Sequence, residues 1–192
     1  RMTKRNALVK KLQAVEALGQ ARVIAVDKTG TITKNELMIQ KVFAGGKLFE
    51  VGGIGYEPSG EIKFEDKVVD PLNHEELLFA GKIAAFCADA RVMFLEDAKE
   101  WRVSGDPTEA AMLVFAEKIG FKKESLDMES PIIGEIPFDF KTKYHATVHK
   151  TDGKNLLTVV GAPEKVLSLS SKIWKGGKSF SISREEKLEL EK

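Results

Sequence analysis

The amino-acid sequence predicts an α/β lead-in of roughly 35 residues, followed by a larger α+β domain with an antiparallel sheet flanked by helices. Three observations support this prediction. A continuous apolar run, Val23–Val26, is typical of a strand buried on both faces. From about Glu36 onward, glycines separate short strand-like segments. Two capped helices and a hairpin signal then follow in the same stretch of chain.

The lead-in contains one helical segment and one strand. Residues 6–18 place apolar side chains at helical spacing, and Gly19 follows where such a helix would end. The apolar run Val23–Val26 comes next, and Asp27 stands at its predicted end. One strand and one helix bury too little surface to form a domain. We therefore expect the sheet partners of Val23–Val26 to lie outside this chain.

The body of the chain begins with strands and continues with helices. Strand-like segments fall between residues 37 and 64, and a first helix is predicted to start at Pro71 or Asn73. A second helix is predicted from a clear start signal and ends near Gly120. That signal consists of an N-cap, a proline at the first helical position and an acidic residue two positions later: Asp106, Pro107 and Glu109.

The last part of the body is predicted to contain strands over residues 132–160. Asp152 and Gly153 mark a hairpin turn between the strands Tyr144–Lys150 and Leu156–Val160. We interpret the histidines of this region as structural residues. Two further helices are predicted, with starts at Pro163 and Ser183.

Composition excludes several classes of protein. The 30 basic and 29 acidic residues give a net charge of +1, which argues against nucleic acid as a partner. Cys87 is the single cysteine, so no internal disulfide can form and a reducing compartment is favoured. The sequence has no apolar run long enough to span a bilayer. It begins with Arg1 and stops inside a predicted helix, so we expect a piece of a longer protein.

Asp27 is the candidate catalytic residue of the lead-in. Ligands of parallel α/β sheets bind beyond the carboxyl ends of the strands. A carboxylate there can attack a phosphoryl group, while loop amides and hydroxyls hold the transferred oxygens. Lys28 or a bound Mg²⁺ would offset the repulsion between the two anions. Taken alone, the short string from Asp27 to Gly30 favours a simpler interpretation, a turn after a strand.

A longer segment that begins at Asp27 favours the catalytic interpretation over a simple turn. The segment DKTGTIT, Asp27–Thr33, resembles the phosphorylation signature of P-type ATPases in the haloacid-dehalogenase-like superfamily. The resemblance implies that Val23–Val26 is the first strand of a Rossmann-like phosphorylation domain. It also implies that Asp27 takes the γ-phosphate of ATP as an aspartyl-phosphate, with Lys28 beside it. Asp27 and Thr29 would then supply part of a Mg²⁺ site.

Thr29 separates two branches of this superfamily. The soluble phosphatases usually carry a second aspartate two positions after the nucleophile, as general acid and base. Threonine cannot perform that function at neutral pH. The resemblance therefore favours a phosphorylated intermediate that persists and drives a pump.

Three further segments resemble the nucleotide-binding domain of the same family. They imply that Glu109 (in GDPTEAA) borders the adenosine, that Phe138 (in PFDFKTK) stacks on adenine, and that Lys143 lies near the phosphates. In the third segment, VGAPE, Gly161 would permit close approach of the backbone to the base. Capping alone also explains Glu109, and an alternating strand would place both Phe138 and Phe140 on a core face. We assign Phe138 to the site and Phe140 to the core.

One position departs from the family pattern. The family has Lys-Gly-Ala-Pro-Glu where this chain has Val160 before Gly161. Valine supplies neither a charge nor an ammonium donor, so the resemblance implies a lowered ATP affinity or a relaxed nucleotide preference.

The sequence thus predicts the cytoplasmic portion of an integral membrane P-type pump of the cation-transporting P2 subgroup. Residues 1–35 would hold the stalk end and the start of the phosphorylation domain. Residues 36–192 would hold a C-terminally truncated nucleotide-binding domain. The implied cofactors are ATP and Mg²⁺. The implied partners are ATP and the rest of the polypeptide, namely the remaining phosphorylation domain, the actuator domain and the transmembrane helices.

Two other functions remain open at this point. One is a soluble phosphotransferase or phosphatase of the same superfamily, and the other is a non-catalytic nucleotide-binding module. The later catalytic loops of the superfamily do not occur in this sequence. We therefore expect this chain by itself not to turn over ATP, and we do not expect it to bind the transported cation.

Overall fold

The structure is a computed structural model that describes residues 10–11, 13, 16, 19–34, 36–151 and 153–190. It divides into two units, Arg1–Asn35 and Glu36–Lys192. Among the described residues, no helix is both long enough and apolar enough to cross a membrane.

The strand predicted at Val23–Val26 does not form in the first unit. The segment makes no strand hydrogen bonds, and Val23 and Ile24 are 85% and 81% exposed. A strand needs a neighbour to satisfy its backbone groups, and within the described part of this unit no segment pairs with it. The helix predicted over residues 6–18 falls largely outside the described residues.

The second unit opens with a four-stranded antiparallel sheet of simple consecutive order. Gly45 and Gly46 both have positive φ, +59° and +77°, which is the backbone of the tight turn that joins twisted strands. The glycine-separated segments predicted over residues 37–64 account for the first three strands. The sheet comprises β1 (Lys41–Ala44), β2 (Lys47–Val51), β3 (Ile62–Phe64) and β4 (Lys67–Val68).

Helices and a hairpin follow this sheet. The first long helix begins at Glu75, later than predicted, because Pro71–Asn73 forms a separate 3-10 turn that is capped by the Asp70 side chain. The second helix starts with Asp106 as N-cap, as predicted. The elements in order are α1 (Glu75–Cys87), β5 (Arg91–Leu95), β6 (Glu100–Ser104), α2 (Pro107–Lys118) and α3 (Lys123–Glu129).

A three-stranded antiparallel sheet forms the next part, with β8 in its centre. The predicted hairpin is confirmed, since β8 and β9 pair along their whole length from Tyr144↔Gly161 to Thr151↔Lys154. The predicted helices after Pro163 and Ser183 are also present. The elements are β7 (Ile132–Ile136), β8 (Tyr144–Thr151), β9 (Lys154–Gly161), α4 (Pro163–Leu169), β10 (Lys172–Lys175), β11 (Lys178–Ser181) and α5 (Arg184–Leu190).

Helix α1 is the centre of the core of this unit. One side packs against α2, where Gly81 lies so close to Ile119 that a methyl group at position 81 would collide with the isoleucine side chain. Another side packs against β8 and β9. Leu77 and Phe86 of α1 are fully buried; Leu77 packs in one cluster with Phe49 of β2, and Phe86 packs in another with Leu126 of α3.

The hairpin of β10 and β11 is attached to the start of α1. Glu76 accepts a hydrogen bond from the backbone N–H of Gly176 in the hairpin turn, at 2.7 Å. That bond and one from the Glu76 backbone N–H, with smaller contributions from the charges of Lys47 and His74, lower the pKa of the Glu76 carboxyl. On the same hairpin, the Trp174 ring lies 5.8 Å from the Phe79 ring.

We predict that Glu76→Gln destabilises the protein at neutral pH and has little effect in acid. The folded-state pKa lies below the unfolded value, so the ionised carboxylate stabilises the fold above an unfolded pKa of about 4.3. That contribution is lost as the pH falls through the folded-state pKa. Because water screens this surface carboxylate, we expect a loss of about 0.2–1 kcal/mol at neutral pH, measured by urea unfolding at neutral and at acid pH. Glu185→Gln, an exposed first-turn glutamate, is the control. An equal loss at both pH values would contradict the prediction.

Candidate functional site

A cleft of about 680 Å³ opens where the end of α1, the start of α2, the β7–β8 loop and the ends of β8 and β9 meet. All four residues that the sequence assigned to a nucleotide pocket line this cleft, and they come from three separate stretches of chain. These residues are Glu109, Phe138, Lys143 and Gly161.

The loop between β7 and β8 carries the aromatic wall of the cleft. Asp139 closes the loop into a turn, because its Oδ1 accepts the backbone N–H groups of Lys141 (2.6 Å) and Thr142 (3.2 Å). The Phe138 ring is 52% exposed and lies 5.3 Å from the Phe140 ring, edge to face. A half-exposed ring on a cleft wall is able to stack on a planar ligand.

The prediction that Phe140 belongs to the core is wrong. Its side chain is 88% exposed and it also lines the cleft. The physical reason is the turn made by Asp139, which replaces the alternating strand on which Phe138 and Phe140 would have shared a core face.

Lys143 closes the same loop with a φ of +58°. Its backbone N–H donates to the Asp139 carbonyl, and its own carbonyl accepts the Ala162 N–H at 2.9 Å. The Lys143 Nζ lies 3.2 Å from Glu164 Oε1. The Glu164 carboxylate accepts a hydrogen bond from the Glu164 backbone N–H and one from the Lys143 side chain. These two bonds keep the pKa of the Glu164 carboxyl below its ordinary value. Since both side chains are more than half exposed, this ion pair is weak and an incoming anion can compete for Lys143.

Glu109 has a partner that its sequence position does not indicate. Asp106 caps α2 as predicted, since its Oδ1 accepts the backbone N–H groups of Thr108 and Glu109. The Glu109 side chain does not complete a capping box. Instead its Oε2 accepts the backbone N–H of Asp89, at 2.9 Å, from the segment that follows α1. Glu109 therefore links the start of α2 to the end of α1 at the cleft.

Gly161 is required by the fold itself. A Cβ at this position would collide with the carbonyl oxygen of Lys143 and with Tyr144, its partner on β8. The close approach that glycine permits here is therefore between two strands of this chain. The expected approach to a base stays a prediction.

Sequence reasoning missed several residues of the cleft wall, among them Cys87, Met112 and His145. Met112 follows Glu109 by about one helical turn, so the spacing on α2 was a usable signal. His145 is the β8 partner of Val160, and only the strand register brings these two positions together. Val160 itself lines the cleft as an apolar side chain.

The predicted phospho-acceptor loop belongs to the other unit. Lys28–Ile32 forms a wide turn, closed by the Thr33 N–H on the Lys28 carbonyl at 3.1 Å, and Gly30 within it has a φ of +74°. Asp27, just before the turn, has extended backbone and is exposed, as are Lys28 and Thr29. The loop thus presents a carboxylate, an ammonium and a hydroxyl to solvent.

Comparison with known proteins places this chain in a family. Residues 76–192 match the family model of the P-type ATPase cytoplasmic domain N. The chain belongs to the P-type cation-transporting ATPases. The match to the N domain covers α1, α2, the three-stranded sheet and the elements that follow, and hence every side chain of the cleft.

The relatives of this P-type ATPase chain are similar over nearly all of its length. It is 41% identical to the cation-transporting ATPase pma1 of Synechocystis over 97% of the chain, and 37% identical to a calcium-transporting ATPase of Bacillus subtilis over its whole length. It is also 32% identical over 97% of its length to the calcium-transporting ATPase type 2C member 1 of Bos taurus. The chain spans about a fifth of the length of these relatives, between 19% and 21%.

We predict that Gly161→Ala destabilises the P-type ATPase chain by about 1–3 kcal/mol, because the added methyl group forces β8 and β9 apart at the cleft. Gly134→Ala is the matched control, since its Cβ would meet only Val148 at an ordinary 3.7 Å. Urea unfolding of both variants measures the difference. Equal stability of the two variants would show that the close approach at Gly161 is not needed.

Proposed function

We propose that this chain is the ATP-binding and phospho-acceptor part of a membrane cation pump, and that it lies on the cytoplasmic side. The cleft binds the adenosine part of ATP, and Asp27 accepts the γ-phosphate. The observation that carries this proposal is the meeting of Glu109, Phe138, Lys143 and Gly161 around one cleft.

Each side chain of the cleft has a distinct task in this proposal. Phe138 stacks on the adenine ring, an interaction worth about 1–3 kcal/mol per base. The Glu109 carboxylate accepts a hydrogen bond from the adenosine while Asp89 keeps it oriented. Lys143 exchanges the exposed Glu164 carboxylate for a phosphate oxygen. The apolar Val160 adds contact area and no charge, so binding depends mainly on stacking.

The residues of the Asp27 loop fit both a phosphoryl group and Mg²⁺. Asp27 and Thr29 offer oxygen donors, and Mg²⁺ in phosphoryl-transfer sites takes one or two carboxylates together with phosphates. The ion supplies charge neutralisation when bound. An Asp27 oxygen forms the new P–O bond as the bond from the γ-phosphorus to the bridging oxygen breaks and ADP leaves. Lys28 reduces the repulsion between the anions.

Thr29 also explains why the phosphorylated state would persist. Hydrolysis needs a group that removes a proton from water, and a threonine hydroxyl is a poor base at neutral pH. The relatives support a pump rather than a soluble phosphatase, since their names describe transporters of cations, calcium, or sodium and potassium. The non-catalytic module is likewise not favoured.

We predict that Phe138→Ala weakens ATP binding by about tenfold, because stacking supplies about 1–3 kcal/mol of the binding free energy. Isothermal titration of ATP into this chain measures the change. Phe180→Ala, a half-exposed phenylalanine on β11 away from the cleft, serves as the control and is expected to bind as the unmodified chain does. Unchanged affinity of Phe138→Ala would remove the cleft from the proposal.

We predict that Asp27→Asn abolishes phosphorylation of the full-length protein. The unmodified protein, given ATP labelled at the γ-phosphate and Mg²⁺, is expected to gain an acid-stable label that hydroxylamine removes, as an acyl phosphate requires. The neutral amide of the variant cannot act as the nucleophile, whereas ATP binding at the cleft is expected to persist. A label that survives in the asparagine variant would reassign the acceptor.

A further inference from the structure

A chain of polar side chains lies buried between α1 and the β8–β9 pair. Thr147 and His149 of β8 and Thr158 of β9 project from one face of the sheet, because they occupy alternate or paired positions. Each is at most 2% exposed. Polar side chains at such a position cost free energy unless all of their hydrogen bonds are made.

The order of hydrogen bonding in this chain depends on the single Thr147 hydroxyl proton, which two acceptors face: the His149 Nε2 and the Phe86 carbonyl oxygen. The His149 Nδ1 lies 3.0 Å from the Ser130 carbonyl oxygen, which only accepts, so Nδ1 carries a proton. In the neutral ring Nε2 is then an acceptor. We assign the Thr147 proton to Nε2, at 3.0 Å, rather than to the Phe86 carbonyl oxygen at 3.2 Å, because Nε2 would otherwise lack a donor. The Thr147 oxygen in turn accepts the hydroxyl of Thr158, at 2.6 Å.

The relay ends at the cleft. The Cys87 thiol donates to the Thr158 hydroxyl, with 3.2 Å between Sγ and Oγ1. Cys87 is the last residue of α1, is fully buried and lines the cleft. Two residues later the Asp89 N–H holds the Glu109 carboxylate. Burial raises the pKa of the Cys87 thiol, and the nearby charge of Glu109 adds to that effect, which keeps the thiol protonated as a donor.

We infer that Cys87, Thr158, Thr147 and His149 form a directional hydrogen-bond relay that positions Glu109 for nucleotide binding. The inference rests on the function proposed above. The relay sets where α1 ends on the sheet, and the end of α1 sets the position of the Asp89 N–H. These four are positioning residues, since they act on the ligand through Glu109.

Removal of the Thr158 hydroxyl, in the middle of the relay, interrupts the series of hydrogen bonds. Thr158→Val keeps the shape of the side chain but leaves the Cys87 thiol without its acceptor and Thr147 without its donor. Thr158→Ser keeps the hydroxyl. Thr151→Val is the matched control, because Thr151 lies in the same β8–β9 hairpin but donates only to the Lys154 carbonyl at the hairpin turn.

The first experiment is titration of ATP into each folded variant of the full chain. We expect Thr158→Val to raise the dissociation constant by at least about threefold, and Thr158→Ser and Thr151→Val to change it by less than about twofold. In a Glu109→Ala background, Thr158→Val is expected to add less than about twofold, because the residue through which the relay acts is gone. An equal effect in both backgrounds would overturn the inference, since it would reflect general loosening of the fold.

The second experiment uses nitrogen NMR of the histidine rings to determine which ring nitrogen of His149 carries the proton. We expect His149 of the unmodified chain to carry its proton on Nδ1 at about pH 8. Thr147→Val is expected to leave that proton on Nδ1, which still faces the Ser130 carbonyl oxygen, and to shift the Nε2 signal because Nε2 loses its donor. Addition of ATP is expected to shift the His149 signals in the unmodified chain but not in Thr158→Val. A proton on Nε2 in the unmodified chain, or no response to ATP, would overturn the relay.

The two levels of the proposal fail in different ways. If Phe138→Ala loses ATP binding while Glu109→Ala does not, the proposed function stands and the relay inference falls. If the unmodified chain binds no ATP at the cleft, the proposed function falls with it, whichever nitrogen of His149 carries the proton.

Discussion

The position of helix α1 is the constraint on which the second unit depends. The helix meets α2 at Gly81, where the absence of a side chain lets Ile119 approach the backbone. On its other side it packs on β8 and β9, with Phe86 and Cys87 fully buried. A helix held on two sides cannot slide or rotate without opening a void in one contact, and interiors tolerate voids poorly. The end of α1 is therefore a fixed point from which the cleft is built.

The cleft combines rigid and adaptable parts. The end of α1, the start of α2, the start of β8 and the end of β9 provide its floor, and hydrogen bonds within the chain hold its polar groups. Glu109 is held by Asp89, and the Lys143 backbone is tied to Asp139 and Ala162. The exposed side chains of Phe138 and of the Lys143–Glu164 pair are able to rearrange. Such a division keeps the cost of ordering the site low while it leaves room for a ligand to enter.

The interface between α1 and the sheet contains polar side chains that hydrogen-bond to one another and to the Phe86 and Ser130 carbonyl oxygens. An apolar interface of the same size would bury more hydrophobic surface, but it would fix the helix less specifically along its axis. Hydrogen bonds from Thr147, Thr158 and His149 have defined directions and lengths, so they set a register as well as a distance. The network connects Ser130, before β7, with Cys87 at the cleft. A network of this kind positions Glu109 at a distance without a conformational change.

The sequence alone was sufficient for much of the local structure and for four of the residues that line the cleft. Local signals act over a few residues, so their patterns predict the elements correctly. Examples are the N-cap Asp106, the turn glycines Gly45 and Gly46, and the Asp-Gly hairpin signal that ends at Gly153. The hairpin β5–β6 and the short helix α3 were not predicted, because their turns lack a strong signal. The hairpin β10–β11 was missed although Gly176 and Gly177 form the same kind of turn as Gly45 and Gly46. The motif resemblance located Glu109 and Phe138 but not their surroundings.

What only the tertiary structure decided are the contacts between residues far apart in the chain. The Glu109 carboxylate accepts the Asp89 N–H and not an N–H of its own helix start, Phe140 lies in solvent on a turn, and Gly161 is needed for the close approach of Lys143. The apolar run Val23–Val26 has strand character in its sequence yet remains unpaired among the described residues. The physical reason is common to all four. A side chain or strand selects its partner by the balance of burial and hydrogen bonding in three dimensions, and that balance includes groups that no local pattern contains.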